Sequence, residues 1–129
     1  MKTFTYLRGA APWLVMGILF YLSSQPGNTD HAVIDLAPSA WHNSLHVPAY
    51  AALAASWHWA QPDWHGRRAM LRVALLCVGF GLTDEWHQSL VPARECSTVD
   101  LLRDALGALL GSWAWTTFRQ QWTRHAVQR

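Results

Sequence analysis

Carboxylate side chains stand at spacings that suit acid–base chemistry in the second half of this 129-residue chain. Asp84 and Glu85 are adjacent, Gln88 follows Asp84 by four residues, and Asp100 and Asp104 are also four residues apart. Residues four apart lie on one face of an α-helix, so each such pair can point into the same site. In a site of low dielectric, one carboxyl group can stay protonated and act as a general acid while another stays ionised. We therefore expect general acid or base groups among these residues.

Basic and hydroxyl-bearing residues could complete such a site. His46 and Tyr50 are four residues apart, and we expect His46 to share a proton with a carboxylate or to orient it. Arg94, between the two acidic segments, is either a solvated charge or a group that binds a phosphate or carboxylate. The predicted catalytic residues are Asp84, Glu85, Asp104 and His46. The predicted substrate-binding residues are Arg94, Gln88, Tyr50, Asp100 and Ser24.

The same cluster is compatible with two other roles. Its carboxylates and imidazoles could bind a divalent cation, although their spacing matches no specific metal motif, so the cofactor is unknown. Alternatively, the charges form a buried ion-pair network that only fixes the packing of the helices. The acids of this region outnumber its arginines, so even complete pairing would leave some carboxylates without a basic partner. This argues against the network. The acids are Asp84, Glu85, Glu95, Asp100 and Asp104, and the bases are Arg94 and Arg103, with His46 and His87 if protonated.

The composition favours a membrane protein over a soluble one. Hydrophobic residues make up 51% of the chain, charged residues only 14%, and nine Trp are far more than usual. Trp is enriched at membrane–water interfaces. The mean hydropathy of +0.01 is low because it averages apolar stretches with polar loops. A net charge of +2 and no basic stripe interleaved with aromatics argue against nucleic acid as a partner.

Four apolar segments predict an all-α bundle of four transmembrane helices, in a single domain over residues 1–129. The segments run over residues 9–24, 44–60, 69–91 and 99–118, near the length that crosses a bilayer. Pro48 falls in an early turn of the second helix, where proline is tolerated. Gly107 and Gly111 form a small-xxx-small pattern, which predicts close packing of the fourth helix on a neighbour.

The placement of Lys and Arg predicts how the bundle is oriented. These residues precede the first helix, lie between the second and third, and follow the fourth, so both termini of this multi-pass protein should be cytoplasmic. The acidic residues then gather near the outer face. An ionisable group in hydrocarbon is costly unless paired or hydrated, so we expect a shared, outward-facing polar cleft. His58 and His65, at the opposite end, are predicted to be interfacial side chains.

Several short motifs together resemble the VanZ-like family of membrane proteins, which is named for a teicoplanin-resistance protein. They are Ser23-Ser24-Gln25-Pro26, His46 with Tyr50 and Leu53, Asp84-Glu85-Trp86-His87-Gln88, then Pro92, Arg94, Asp100, Asp104, Gly107 and Gly111. The resemblance covers residues 14–111. It departs from the family at Asn43, where relatives often have lysine. If that lysine binds an anion in relatives, this protein must use Arg94 instead or not bind the anion.

The resemblance implies a protein of the bacterial cytoplasmic membrane, linked in some members to lowered teicoplanin susceptibility, but no settled reaction. We expect it to bind or act on a membrane lipid or a lipid-linked cell-envelope precursor. As an enzyme it would be a membrane hydrolase or transferase using carboxylate acid–base chemistry. The alternative is a non-enzymatic module whose buried charges fix helix packing or support a partner. A proton- or ion-coupled carrier is a weaker hypothesis, since four short helices would need to form a homo-oligomer to enclose a pathway.

Overall fold

Four α-helices make up the part of the chain that the computed structural model describes, which is residues 2–25, 45–92 and 97–127. They are α1 (Lys2–Ser23), α2 (His46–Ala60), α3 (Gly66–Gln88) and α4 (Thr98–Val127). These ranges contain no strand. Within the same ranges, no helix combines the length and the apolar character that would carry it across a membrane. The predicted all-α architecture of four helices is confirmed.

Two helices are longer than predicted at ends that carry basic and polar residues. α1 already begins at Lys2, and α4 continues to Val127 rather than ending at Phe118. Hydrophobicity marks only the apolar part of a helix, whereas Lys, Arg and Gln have good helix propensity and can extend it. The apolar segments therefore located the helices but underestimated the lengths of these two.

The core lies along α2, which packs against the other three helices. It is formed by the buried side chains of Tyr50, Leu53, Ala54, Val73, Cys77 and Ala108. These residues come from α2, α3 and α4, and partly buried side chains of α1 such as Val15 and Leu19 pack against them. The central position of α2 means that groups at either of its ends can meet residues from several helices.

The contact between α2 and α4 depends on two glycines. A Cβ atom at Gly107 would overlap the carbonyl oxygen of Val47 and lie 3.0 Å from the Val47 Cα atom. A Cβ atom at Gly111 would lie 2.7 Å from the Cα atom of Ala51. These neighbours are backbone atoms, which cannot move aside as a flexible side chain can. The predicted close packing is confirmed, and Pro48 lies in the first turn of α2 as predicted.

The helices alternate in direction, so the bundle has two ends of different chemistry. The acidic end, where α1 and α3 finish and α2 and α4 begin, is defined by Ser23, His46, Asp84, Glu85, Gln88 and Asp104. The basic end is defined by Arg8, His58, Trp115 and Arg119. There, Arg8 donates to the carbonyl oxygen of Trp59 and Arg119 donates to that of Pro62, which joins α1 and α4 to the end of α2.

His58 shows that one sequence prediction was wrong. The side chain is only 2% exposed rather than interfacial, and its ring stacks on Trp115 with centroids 6.5 Å apart. A single histidine in a helix end rich in alanine and tryptophan gives no periodic signal of the face on which it lies. His65, which shared the prediction, is exposed.

Candidate functional site

Asp84 lies at the centre of a buried hydrogen-bonded group at the end of α3. Ser23 Oγ of α1 is 2.5 Å from Asp84 Oδ1, and Gln88 Nε2 donates to Asp84 Oδ2 over 3.0 Å. The second contact joins residues one turn apart, as their spacing predicts. Both partners are neutral, and no ion pair to Asp84 occurs within the described ranges. Asp84 is therefore buried and hydrogen-bonded without an ionic partner in that part of the chain.

The hydroxyl group of Ser23 can serve only one acceptor at a time. It lies 2.9 Å from the carbonyl oxygen of Phe20 as well as 2.5 Å from Asp84, yet serine carries a single hydroxyl hydrogen. Both contacts are satisfied together only when the carboxyl group carries a proton and donates it to Ser23. When the carboxylate is ionised, Ser23 donates to it, and Ser24 still donates to the Phe20 carbonyl at 2.6 Å. Ser23 and Asp84 can thus hold or release one proton without moving a heavy atom.

A second group of polar atoms, from three helices, surrounds Asp104 on α4. Asp104 is 1% exposed, and its Oδ1 atom lies 2.8 Å from His46 Nδ1. The buried Tyr50 hydroxyl lies beside the same carboxylate. Gly81 of α3 provides the room, since a Cβ atom there would lie 3.0 Å from Asp104 Oδ2 and 3.3 Å from the Tyr50 hydroxyl oxygen. His46 and Tyr50 therefore face one carboxylate, as their spacing predicts.

Glu85 joins the end of α3 to the start of α4. The side chain is 4% exposed, and its Oε2 atom accepts a hydrogen bond of 2.7 Å from the backbone N–H of Ser97. Ser97 directly precedes α4, and its Oγ atom accepts the backbone N–H of Asp100 at 3.2 Å, as an N-cap residue does. The Glu85 carboxylate is therefore directed at the amino-terminal end of a helix, where the helix dipole favours negative charge.

Asp100 and Ser24, two predicted binding residues, lie at the edge of the acidic end. Asp100 forms an ion pair with Arg103 one turn along α4, and both side chains are partly exposed. Ser24 Oγ is 3.0 Å from His87 Nε2, and the His87 ring stacks on Phe20 with centroids 4.4 Å apart. These contacts place polar groups at the rim of the acidic end, around the more deeply buried carboxylates.

Arg94, the predicted anion-binding residue, lies outside the described residues, as do Asn43 and Glu95. A contact between Arg94 and an anion stays a prediction. Within residues 2–25, 45–92 and 97–127, no three His, Cys, Asp or Glu side chains converge closely enough to hold a metal ion. His46 and Asp104 are paired there, but no third side chain of these types completes a ligand set.

Three residues that position the predicted ones are not among the predicted catalytic and binding residues: Gly81, and Ser23 and His87, which the sequence placed only in the same polar region. For Gly81 a signal was present, because Gly81, Asp84 and Gln88 repeat at helical spacing on one face of α3. For Ser23 the contact depends on how α1 packs against α3, which spacing within a single helix does not report.

The acidic end can hold protons at two positions. Ser23 with Asp84, and His46 with Asp104, each join a proton donor and an acceptor at hydrogen-bond distance. In each pair the two groups can exchange a proton. This is the requirement for general acid–base chemistry.

Comparison with known families gives a match over most of the chain. The VanZ/LLP1 family matches residues 11–119, a range that extends beyond the resemblance noted over residues 14–111 at both ends. No curated protein matches the chain, and no solved structure does. The matched range contains the whole acidic end, including each predicted catalytic and binding residue. The chain therefore belongs to the VanZ/LLP1 family.

Proposed function

We propose that this protein is a multi-pass protein of the bacterial inner membrane whose acidic end faces outward and binds or acts on a lipid-linked cell-envelope molecule. In this role it would lower the susceptibility of the cell to teicoplanin. One observation carries the proposal: Asp84, Glu85 and Asp104 are 6%, 4% and 1% exposed at one end of a bundle. Burial of three carboxylates in so small a protein is costly, and such sites are commonly functional.

The membrane location is supported by the distribution of apolar side chains. Leu75, Leu102 and Trp86 are 72%, 70% and 69% exposed, whereas Asp84 and Glu85 on the same helix as Trp86 are buried. Soluble monomers rarely expose large apolar surfaces. An apolar outside with ionisable groups inside is the arrangement expected for a protein surrounded by lipid. Membership of the family and the excess of Lys and Arg at the basic end support the same location and the outward direction of the acidic end.

Within the acidic end, Asp84 and Asp104 are the groups best placed for proton transfer. Asp84 shares a short contact with Ser23, and His46 is paired with Asp104 and could exchange a proton with it. Glu85 would act as a third acid or base. If a reaction takes place, hydrolysis or group transfer with carboxylate acid–base catalysis fits these groups. Gln88, Tyr50, Asp100, Ser24 and Arg94 would then bind the substrate.

Growth in teicoplanin tests the function when protein levels are measured alongside. We expect Asp84→Asn to lose the protection that the wild-type protein gives, because an amide cannot hold and release the proton. Asp63→Asn is the matched control, since Asp63 is exposed at the opposite end. Equal protection by wild type and Asp84→Asn would contradict the proposal, and so would a loss that only follows the amount of protein in the membrane.

Reporter fusions test the orientation independently. A fluorescent protein joined after Arg129 should fluoresce, and alkaline phosphatase joined at the same point should be inactive, because the carboxyl terminus is expected inside. The reverse result would place the acidic end on the cytoplasmic side and would exclude an outer-leaflet substrate.

A non-enzymatic module is the second candidate, and the internal pairing of the acidic end favours it. His46 pairs with Asp104, Asp100 pairs with Arg103, and Asp84 is hydrogen-bonded by Ser23 and Gln88. If these groups serve only packing, near-isosteric changes should lower the folded yield, because they leave buried partners unsatisfied. If they serve function, Asp84→Asn should fold at normal yield and lose only the phenotype.

A further inference from the structure

A cavity of about 480 Å³ opens at the basic end, between α1, α2 and α4. Arg8, His58 and Arg119 form its polar wall, and aromatic side chains that include Trp59, Trp115 and Trp122 form the rest. No carboxylate is among the described residues that line it. The cavity lies at the opposite end of the bundle from Asp84 and Asp104, so the proposed function of the acidic end does not use it.

Two arginines on different helices give the cavity a positive charge. Arg8 Nε and Nη2 donate to the Trp59 carbonyl oxygen at 3.0 and 2.6 Å, and Arg119 Nη1 donates to that of Pro62 at 2.7 Å. These two acceptors lie three residues apart, at the end of α2 and just after it, and both arginines line the cavity. A guanidinium group has five N–H donors, so each arginine keeps donors for a ligand. Arginine donors favour phosphate and carboxylate groups.

Two residues of the cavity wall also carry a buried polar atom that has no partner among the described residues. His58 Nε2 and Trp115 Nε1 are both buried, and neither forms a hydrogen bond with any described residue. The indole N–H of Trp115 can only donate, so its partner must be an acceptor. Buried polar groups in proteins are nearly always hydrogen-bonded, and those that are not call for an explanation such as a ligand. Both nitrogens are covered by protein atoms, so a ligand can pair with them only after their rings turn toward the cavity.

The rim of the cavity is apolar and exposed. Phe4, Phe118 and Trp122 line the cavity and are 59%, 62% and 69% exposed. The Arg8 guanidinium lies 6.0 Å from the centroid of Trp59, within the range of a cation–π contact. A ligand that fits both parts must combine an anionic head group with apolar chains.

We propose that this cavity binds the phosphate group of an anionic phospholipid of the inner leaflet, between Arg8 and Arg119, with its acyl chains along the exposed aromatic rim. The proposal rests on the membrane location stated under the proposed function, but it does not depend on any activity of the acidic end. The rings of His58 and Trp115 would form part of the cavity wall beside the head group.

Binding of phosphatidylglycerol to the purified full-length protein in detergent micelles tests the proposal. Brominated acyl chains quench tryptophan fluorescence on contact, so brominated phosphatidylglycerol should quench it saturably and more strongly than brominated phosphatidylcholine. Arg119→Gln should weaken the binding of phosphatidylglycerol about tenfold, because it removes a charged donor from the phosphate. Arg124→Gln removes the same charge from an exposed position outside the cavity, and at physiological salt it should change binding by no more than about twofold.

Arg119 also donates to the Pro62 carbonyl, so each variant is checked for helical circular dichroism. If Arg119→Gln does not fold, Arg8→Gln carries the same expectation from α1, and the preference of the wild-type protein for phosphatidylglycerol needs no variant. Equal quenching by the two lipids would overturn the proposal, as would equal losses in Arg119→Gln and Arg124→Gln. Inorganic phosphate that saturates the cavity and displaces the lipid would assign the site to free phosphate instead. Asp84→Asn should bind phosphatidylglycerol normally, which separates this test from that of the acidic end.

Discussion

The two ends of the bundle differ in whether their buried polar groups have hydrogen-bond partners within the chain. At the acidic end, Asp84, Glu85 and Asp104 each have a hydrogen-bond partner within the chain. At the basic end, His58 and Trp115 are buried with ring nitrogens that have no partner in the described part of the chain. The three buried carboxylates of the acidic end thus have partners within the chain, whereas these two ring nitrogens of the basic end do not.

This difference indicates that the two ends have different tasks. Leaving a buried donor or acceptor unpaired costs about 1–3 kcal/mol. The unpaired ring nitrogens of His58 and Trp115 therefore need an explanation. The paired groups of the acidic end can move protons among themselves. The unpaired groups of the basic end belong to residues that line a cavity with two arginines. Tyr50 is also buried at the acidic end, with its hydroxyl beside the Asp104 carboxylate.

The largest effect should come from Gly107, because the contact of α2 with α4 supports both ends at once. Gly107→Ala would place a methyl group against the backbone of Val47, and overpacking of this kind should lower the free energy of unfolding by about 3 kcal/mol. Gly79→Ala is the control, since nothing lies within 4 Å of the added methyl group and alanine favours a helix by about 1 kcal/mol. Unfolding in rising SDS, followed by circular dichroism, measures both. Similar stability of the two variants would mean that the close approach at Gly107 does not limit the packing of α2 on α4.

Asp104→Asn should have the next largest effect, through loss of the pairing with His46. Breaking a fully buried charged pair costs about 3–5 kcal/mol, and here we expect about 2 kcal/mol because the His46 side chain is 20% exposed. Asp100→Asn removes the same charge from a pair within one helix that is partly exposed, and should cost about 0.5 kcal/mol or less. The same SDS unfolding experiment compares them. Equal costs would show that burial of Asp104 contributes nothing to the strength of its pairing.

Ser23→Ala tests whether the buried Asp84 carboxyl group depends on its partner from α1. It removes the 2.5 Å contact with Asp84 and should lower the free energy of unfolding by about 1–2 kcal/mol, because a buried carboxyl group loses a partner. Ser24→Ala, next to it but partly exposed, should cost less than about 1 kcal/mol. If the two alanine variants are equally stable, the Asp84 carboxyl group does not rely on Ser23, and the proposed proton arrangement is wrong.

The sequence predicted much of the acidic end because its signals lie within single helices. The spacing of Asp84 and Gln88 predicted their hydrogen bond, and Gly107 and Gly111 predicted the close contact of α4. Contacts between helices, such as Ser23 with Asp84, depend on packing and left no such signal.

The cavity of the basic end was not predicted, for a related reason, although the sequence placed the arginines at that end. Its polar residues are scattered singly over three helices, at Arg8, His58 and Arg119, and none repeats at helical spacing with another. Their meeting depends on the two carbonyl groups at the end of α2 that bind the arginines. Such acceptors belong to the backbone, so the residue types give no indication of them. The pattern of side chains thus predicts contacts of the acidic end. It does not predict those of the basic end, where backbone carbonyl groups bind the arginines.

His58→Phe should have the smallest effect on stability, and it should differ in sign from changes at the acidic end. Phenylalanine has a similar ring and no nitrogen in need of a partner, so in lipid-free detergent the free energy of unfolding should stay the same or rise by about 1 kcal/mol. His87→Phe is the matched control, because His87 Nε2 lies 3.0 Å from Ser24 Oγ and its loss should cost about 1 kcal/mol. If His58→Phe is destabilised as much as His87→Phe, then His58 has a structural partner and the two ends do not differ. If it is not destabilised but binds phosphatidylglycerol more weakly, the unpaired nitrogen serves the ligand and not the fold.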